Sequence, residues 1–184
     1  MADYSYESYL AKLGGAPTGS NAAANPALYI PQGVSVKEFE DANGDPGRVG
    51  LFSPNTVQMN TSPMERKFAL ETLFHEGAHT MQPYLPNFLN PNTNKLSGVP
   101  YEGYLDPQDA RPTTKINEVL ASLRAKDAML PKGKSSLDTP EGRNYVNAVA
   151  KQNSMKPQEA RDYVNNAIYK QDVLKEWAKK YFAK

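Results

Sequence analysis

Cysteine is absent from this chain of 184 residues, and histidine occurs only twice. The absence of cysteine excludes disulfide bonds and thiolate metal sites. No apolar run approaches the roughly 18 residues needed to span a bilayer, so no membrane partner is expected. The start of the chain, MADYSYESYL, lacks the basic and apolar regions of a signal peptide. We therefore expect synthesis in the cytosol, and the final location stays open between the cytoplasm and a released particle.

Neither positive nor negative charge is in clear excess. The chain has 21 Lys and Arg against 20 Asp and Glu, a formal net charge of +1. It shows neither a basic cluster nor the aromatic signature of RNA-binding segments, so nucleic acid is not an expected partner. The apolar fraction of 39% and the charged fraction of 22% are ordinary for a soluble globular protein.

The order of the sequence patterns predicts an α+β protein organised as a single domain. Residues 1–27 are expected to be an N-terminal extension, with a short helix over 1–13 followed by an irregular run rich in Gly and Pro. Residues 28–130 form the predicted core, in which the segments GVSVKEFE, RVGLFS and TVQMN indicate a small β-layer of three strands. Residues 131–184 are expected to be a helical region that packs on this core. Its first helix is predicted to be capped near Asp138–Thr139 with Pro140 at the first helical position, and its second to start near Lys156–Pro157.

A helix is predicted from about residue 63 to residue 82. Ser62 is a candidate N-cap, Pro63 suits the first helical position, and Glu65 occupies the third position of a capping box. Prolines after residue 82 end the pattern. The side chains expected to be buried are Phe68, Leu73, Phe74 and Met81.

Both histidines lie inside this predicted helix, in the segment HEGAH. His75 and His79 are separated by just over one helical turn, so they project to the same side and can bind one ion. Imidazole nitrogens are good ligands for Zn²⁺, and two of them leave room for one further protein ligand and a water. Glu76 lies close enough to take a proton from a water that the metal activates. The sequence therefore predicts a zinc site with Glu76 as general base.

This segment resembles the active-site helix of the zincin metallopeptidases, whose motif is H-E-x-x-H. The resemblance covers mainly residues 49–82 and one downstream helix. It implies a zincin-like fold, with a small β-layer packed on the HEGAH helix. It also implies that VGLFSPNTVQMN is similar to the zincin edge strand, which binds an extended substrate by strand addition.

The resemblance also suggests the third zinc ligand. Zincins with a third histidine are excluded, because this chain has only two. Gluzincins use a glutamate from a following helix, and KINEVLASLRAKD offers Glu118 after Asn117. Ser122 stands where that family has an acidic residue, which weakens the match. Asp106 and Asp109 remain the alternatives for the third ligand.

Zincins often use a tyrosine or a histidine to stabilise the oxyanion that forms at the substrate carbonyl. Tyr101 and Tyr104, in the segment PYEGYLDP, are the candidates for this role. The alternative is that both rings pack their proline-rich loop onto the domain.

Two functions from different classes follow from these patterns. The leading hypothesis is a gluzincin-like zinc metallopeptidase that acts on a peptide or protein substrate. The alternative is a zincin-fold structural or binding protein, for example a component of a phage particle, that binds zinc without hydrolysing peptides. Apolar residues of the C-terminal helices suit either a core or a contact with an assembly partner, namely Tyr145, Val149, Tyr163, Ile168, Val173, Trp177 and Tyr181.

Overall fold

The protein has an α+β fold in which a four-stranded sheet accompanies seven α-helices, counted over the residues that the structure describes. The structure is a computed structural model that describes residues 3–41, 44, 46–50, 53–82 and 112–170. The strands are β1 (Asp3–Ser5), β2 (Ser35–Phe39), β3 (Gly47–Gly50) and β4 (Ser53–Asn60). The helices are α1 (Tyr6–Lys12), α2 (Asn21–Ala24), α3 (Pro26–Tyr29), α4 (Arg66–Thr80), α5 (Pro112–Met129), α6 (Pro140–Asn153) and α7 (Pro157–Tyr169). The α+β class predicted from the sequence is confirmed.

The strands follow the spatial order β1-β2-β4-β3. Strand β4 pairs in parallel with β2 and antiparallel with β3, so it is an internal strand. The segment 53–60 was predicted to belong to the substrate-binding edge strand, and this part of the prediction is wrong. Among the described strands, β3 and β1 lie at the two edges of the sheet.

One face of the sheet is buried and the other is polar. Val36, Val57 and Met59 point to the buried face, where each is at most 1% exposed. Helix α4 packs against β3 and β4, and α1 packs against β2. On the opposite face, the hydroxyls of Ser35 and Thr56 form a hydrogen bond of 3.2 Å across two paired strands. This alternation is typical of a sheet with one solvated face.

Helix α4 begins later than the sequence predicted, with Glu65 as its N-cap. Glu65 makes no capping hydrogen bond with its side chain. The hydroxyl of Ser62 donates instead to the carbonyl of Asp41, at 3.1 Å. The predicted capping box is therefore wrong, because the turn after β4 uses the serine. Phe68 is 48% exposed, contrary to the prediction, whereas Leu73 and Phe74 are buried as expected.

The described residues belong to two compact units. The first unit comprises residues 1–81 and 124–134, and the second comprises residues 82–123 and 135–184. The first unit contains the sheet and α1 to α4. Residues 1–27, predicted as an extension, contribute strand β1 and the buried side chain of Tyr6 to this unit.

The second unit has its own apolar core, formed by the first part of α5 together with α6 and α7. Its buried members are Val119, Leu120, Leu123, Leu137, Tyr145, Val146, Val149, Ala160, Val164, Ala167 and Ile168. Tyr145, Val149 and Ile168 were candidates for an assembly contact, and all three are core residues of this unit. A contact with an assembly partner stays a prediction, and Val173, Trp177 and Tyr181 lie outside the described residues.

The capping signals of the C-terminal helices were predicted correctly. Thr139 is the N-cap of α6 and its hydroxyl accepts from the Gly142 N–H, with Pro140 at the start of the helix. Helix α7 begins at Pro157, with Glu159 accepting from the Lys156 N–H at 2.9 Å. In the described part of the chain, no helix is long and apolar enough to cross a membrane.

Candidate metal centre

Helix α4 brings the two histidine side chains together on one face. The Nε2 atoms of His75 and His79 are 3.0 Å apart. The two ring centroids are separated by 4.7 Å, and the ring planes are nearly perpendicular, at 82°. Both side chains are partly buried. The spacing of four residues therefore produces the convergence that the sequence predicted for this pair.

This geometry fits the donor set that a zinc ion requires. Two nitrogens at this separation can both lie at about 2.0–2.1 Å from one ion, the usual Zn–N distance. The separation also suits a hydrogen bond in which one ring donates to the other. With or without an ion, the Nε2 atoms of His75 and His79 converge on the same small region.

Glu76 lies between α4 and the sheet, and only 9% of it is exposed. Gly47 in the edge strand β3 lies beside the Glu76 side chain. A β-carbon built on Gly47 would lie 3.2 Å from Glu76 Cγ and 2.7 Å from Thr72 Cγ2. The absence of a side chain at residue 47 therefore makes room for the glutamate beside the edge strand.

Tyr6 lies against the same helix and is fully buried. Its hydroxyl donates a hydrogen bond of 2.8 Å to the carbonyl of Leu73. A β-carbon added at Gly77 would lie within 2.9 Å of three atoms of the tyrosine side chain. Burial raises the pKa of Tyr6 well above 10.0, and the negative charge of Glu76 raises it further. Gly77 therefore makes room for a tyrosine ring from the start of the chain.

Glu118, the predicted third ligand, lies on α5 with its side chain exposed. A glutamate carboxylate is among the ligands that zinc binds, and the role of Glu118 as the third ligand stays a prediction. Glu118 belongs to the part of α5 in the second unit, and the helix continues into the first unit from Arg124 onward.

The later part of α5 is bound to α3 and contacts the end of α4 within the first unit. The guanidinium of Arg124 donates to the carbonyl of Leu28 from Nε at 3.0 Å and from Nη2 at 2.6 Å. Nη2 also lies 3.5 Å from the sulfur of Met81, the C-cap residue of α4.

Several candidates lie outside the described residues. These are Tyr101 and Tyr104, expected to stabilise an oxyanion, and the alternative ligands Asp106 and Asp109. The side chain of Asn117 is likewise outside the described set. Their predicted roles stay predictions.

Two residues at this centre were missed in the sequence. Tyr6 lies in the segment predicted as a short helix, and nothing in its local pattern indicates a partner 67 positions away. Gly47 lies in the turn-like segment DANGDPGR, where glycine has an ordinary local explanation. Comparison with known proteins adds no further candidate, since no family model, curated protein or solved structure matches this chain.

Proposed function

We propose that this protein is a zinc-dependent metallopeptidase with a zincin-like arrangement of its site. The observation that carries the proposal is the convergence of the His75 and His79 Nε2 atoms, 3.0 Å apart, one turn apart on a helix that also buries Glu76. The motif and its helical setting together support a metal site.

His75 and His79 hold the ion in this proposal, and Glu118 supplies the third ligand. Three protein ligands leave the open position that distinguishes catalytic zinc sites from structural ones. The identification of Glu118 is supported by its chemistry, because a glutamate carboxylate is one of the ligands that zinc takes in proteins. A zinc ion bound there would polarise a peptide carbonyl and lower the pKa of water.

Glu76 performs the proton transfers of the proposed reaction. Its carboxylate takes the proton from the attacking water and then gives it to the leaving amine, so one residue serves as base and then as acid. Burial beside Gly47 restricts the conformations of the Glu76 side chain. A restricted carboxylate loses less entropy when it meets the reacting water.

The peptide substrate is expected to bind along β3. This strand is at an edge of the described sheet, and Gly47 in β3 is next to Glu76. An edge strand presents unpaired N–H and C=O groups that can pair with an extended peptide. Strand addition at β3 would therefore bring the backbone of a substrate past the general base.

The decisive experiment is the replacement Glu76→Gln, measured by metal content and by hydrolysis of a peptide mixture. The amide cannot accept the proton, so we expect loss of hydrolysis with stoichiometric zinc retained. Glu65→Gln is the matched control, because Glu65 is an exposed residue that makes no capping bond with its side chain. Full activity of Glu76→Gln would refute the mechanism. Wild-type protein that binds zinc but hydrolyses no peptide would favour the alternative of a structural or binding protein.

A further inference from the structure

Arg48 lies on the edge strand β3 and its guanidinium is fixed in place. Its Nε donates to the Gln58 side chain on the neighbouring strand, at 2.6 Å, and its Cζ lies 4.5 Å from the centroid of the Phe39 ring. Arginine loses little additional freedom when such a held guanidinium binds a carboxylate. Arg48 is therefore organised for binding although it is exposed.

The charge of Arg48 has no acidic partner among the described residues. Its interactions are the hydrogen bond to Gln58 and the contact with Phe39, neither of which provides a carboxylate. The nearby lysines differ in this respect, because Lys37 pairs with Asp3 at 3.8 Å and Lys12 pairs with Glu38. With Nε occupied, the two terminal amino groups of Arg48 can approach a carboxylate together.

The position of Arg48 relative to Gly47 determines which substrate residue it meets. Successive residues of a strand point to opposite faces of the sheet. Gly47 faces α4 and Glu76, so Arg48 faces the polar side. A peptide paired with β3 would alternate in the same way, and one residue would project to the polar side opposite Arg48. The two side chains would then be cross-strand neighbours at about 5 Å.

We propose that Arg48 selects peptide substrates with an aspartate or a glutamate at the position paired with it, close to the scissile bond. This inference rests on the proposed peptidase function and on substrate binding along β3. Opposite charges facing each other across paired strands attract, and like charges repel. The protein should therefore prefer acidic extended peptides and disfavour lysine at this one position.

The test uses one peptide that the wild-type protein cleaves, resynthesised with Glu, Gln or Lys at each of the positions near the scissile bond. We expect one position where kcat/KM falls in the order Glu, Gln, Lys, with differences on the order of fivefold for each step. Arg48→Glu should reverse this order at the same position. The control Lys37→Glu makes the same change of charge on the same face, at a strand away from this edge.

Each outcome separates this inference from the function on which it rests. If the wild-type protein cleaves the peptides but shows no preference for charge at any position, the role of Arg48 is overturned and the peptidase function stands. A preference that persists unchanged in Arg48→Glu would overturn it as well, provided that thermal unfolding shows the variant to be folded. Wild-type protein that cleaves no peptide would refute the proposed function, and this inference with it.

Discussion

Tyr6 and Gly77 are in direct contact, although they are far apart in the chain. The space that a β-carbon would occupy at residue 77 is 2.5 Å from the Tyr6 hydroxyl oxygen and 2.8 Å from its nearest ring carbon. The tyrosine hydroxyl also donates to the carbonyl of Leu73, one turn earlier on the same helix. The HEGAH helix is thus held at its central glycine by the first helix of the chain.

Gly77→Ala tests this contact. In an exposed helix, alanine would stabilise the protein by about 1 kcal/mol relative to glycine. Here the added methyl group overlaps the Tyr6 ring, so we expect a net loss of about 1–3 kcal/mol in the free energy of unfolding. Denaturant unfolding monitored by circular dichroism measures this loss.

The Tyr6→Ala background supplies the control for that substitution. With the ring removed, Gly77→Ala should become neutral or stabilising, because only the helix preference remains. The difference between the two backgrounds is the coupling energy of a double-mutant cycle. Equal effects of Gly77→Ala in both backgrounds would show that the contact with Tyr6 does not limit the size of the side chain at position 77.

The raised pKa of Tyr6 predicts a loss of stability at alkaline pH. Burial and the charge of Glu76 favour the protonated phenol in the folded state. A group whose folded pKa is raised contributes stability that is fully present below its unfolded pKa, about 10 for tyrosine, and is lost as pH rises above that value. The free energy of unfolding should therefore fall above pH 10. In the Tyr6→Phe variant, the free energy of unfolding should fall less steeply over the same pH range. Parallel slopes for the two proteins would contradict the prediction.

The sequence predicted the local features of this protein well. The pairing of His75 with His79, the start of α7 at Pro157 and the Thr139 cap each depend on residues within a few positions of one another. Such signals are present in the sequence because the physical cause is local. The α+β class follows in the same way from the sum of local patterns.

The features that the sequence did not predict depend on distant contacts. Ser62 has the chemistry of a cap, but its hydroxyl donates to the carbonyl of Asp41, which follows the neighbouring strand β2. The assignment of the edge strand failed because pairing order is a tertiary property, and β3 covers the edge of β4. The contact between Gly77 and Tyr6 joins two distant positions and is visible only in the folded chain.

Asn21 is predicted to be a main contributor to the stability of the first unit. Its side-chain nitrogen donates to the carbonyls of Asp127 at 2.9 Å and Lys134 at 2.8 Å. Its side-chain oxygen accepts from the Gly133 N–H at 2.9 Å. Asn21→Ala removes three bonds from a buried site, so we expect a loss of about 2–4 kcal/mol in the free energy of unfolding. Asn21→Asp keeps the acceptor and removes both donors. If the two donated bonds provide most of the stability, thermal unfolding should show a loss in Asn21→Asp at least as large as in Asn21→Ala.

Zinc is expected to stabilise the folded protein if His75 and His79 hold the ion. Binding only to the folded state adds about 2.7 kcal/mol when free zinc is 100 times its dissociation constant. Thermal unfolding with added zinc and with a chelator measures the shift. His79→Gln keeps the size and polarity of the site but should abolish most of the shift. A shift that survives in this variant would indicate that zinc binds elsewhere.

The role of Glu118 can be tested separately from activity, by competition with a chromogenic chelator. Loss of a direct ligand should weaken zinc binding by more than the 10–100-fold that is typical for residues around the ligands. We therefore expect Glu118→Gln to lower the affinity beyond about 100-fold, while Glu65→Gln, with the same chemical change at an exposed helix cap, retains it. Unchanged affinity in Glu118→Gln would mean that another residue completes the site, and Asp106→Asn and Asp109→Asn would then be the variants to measure.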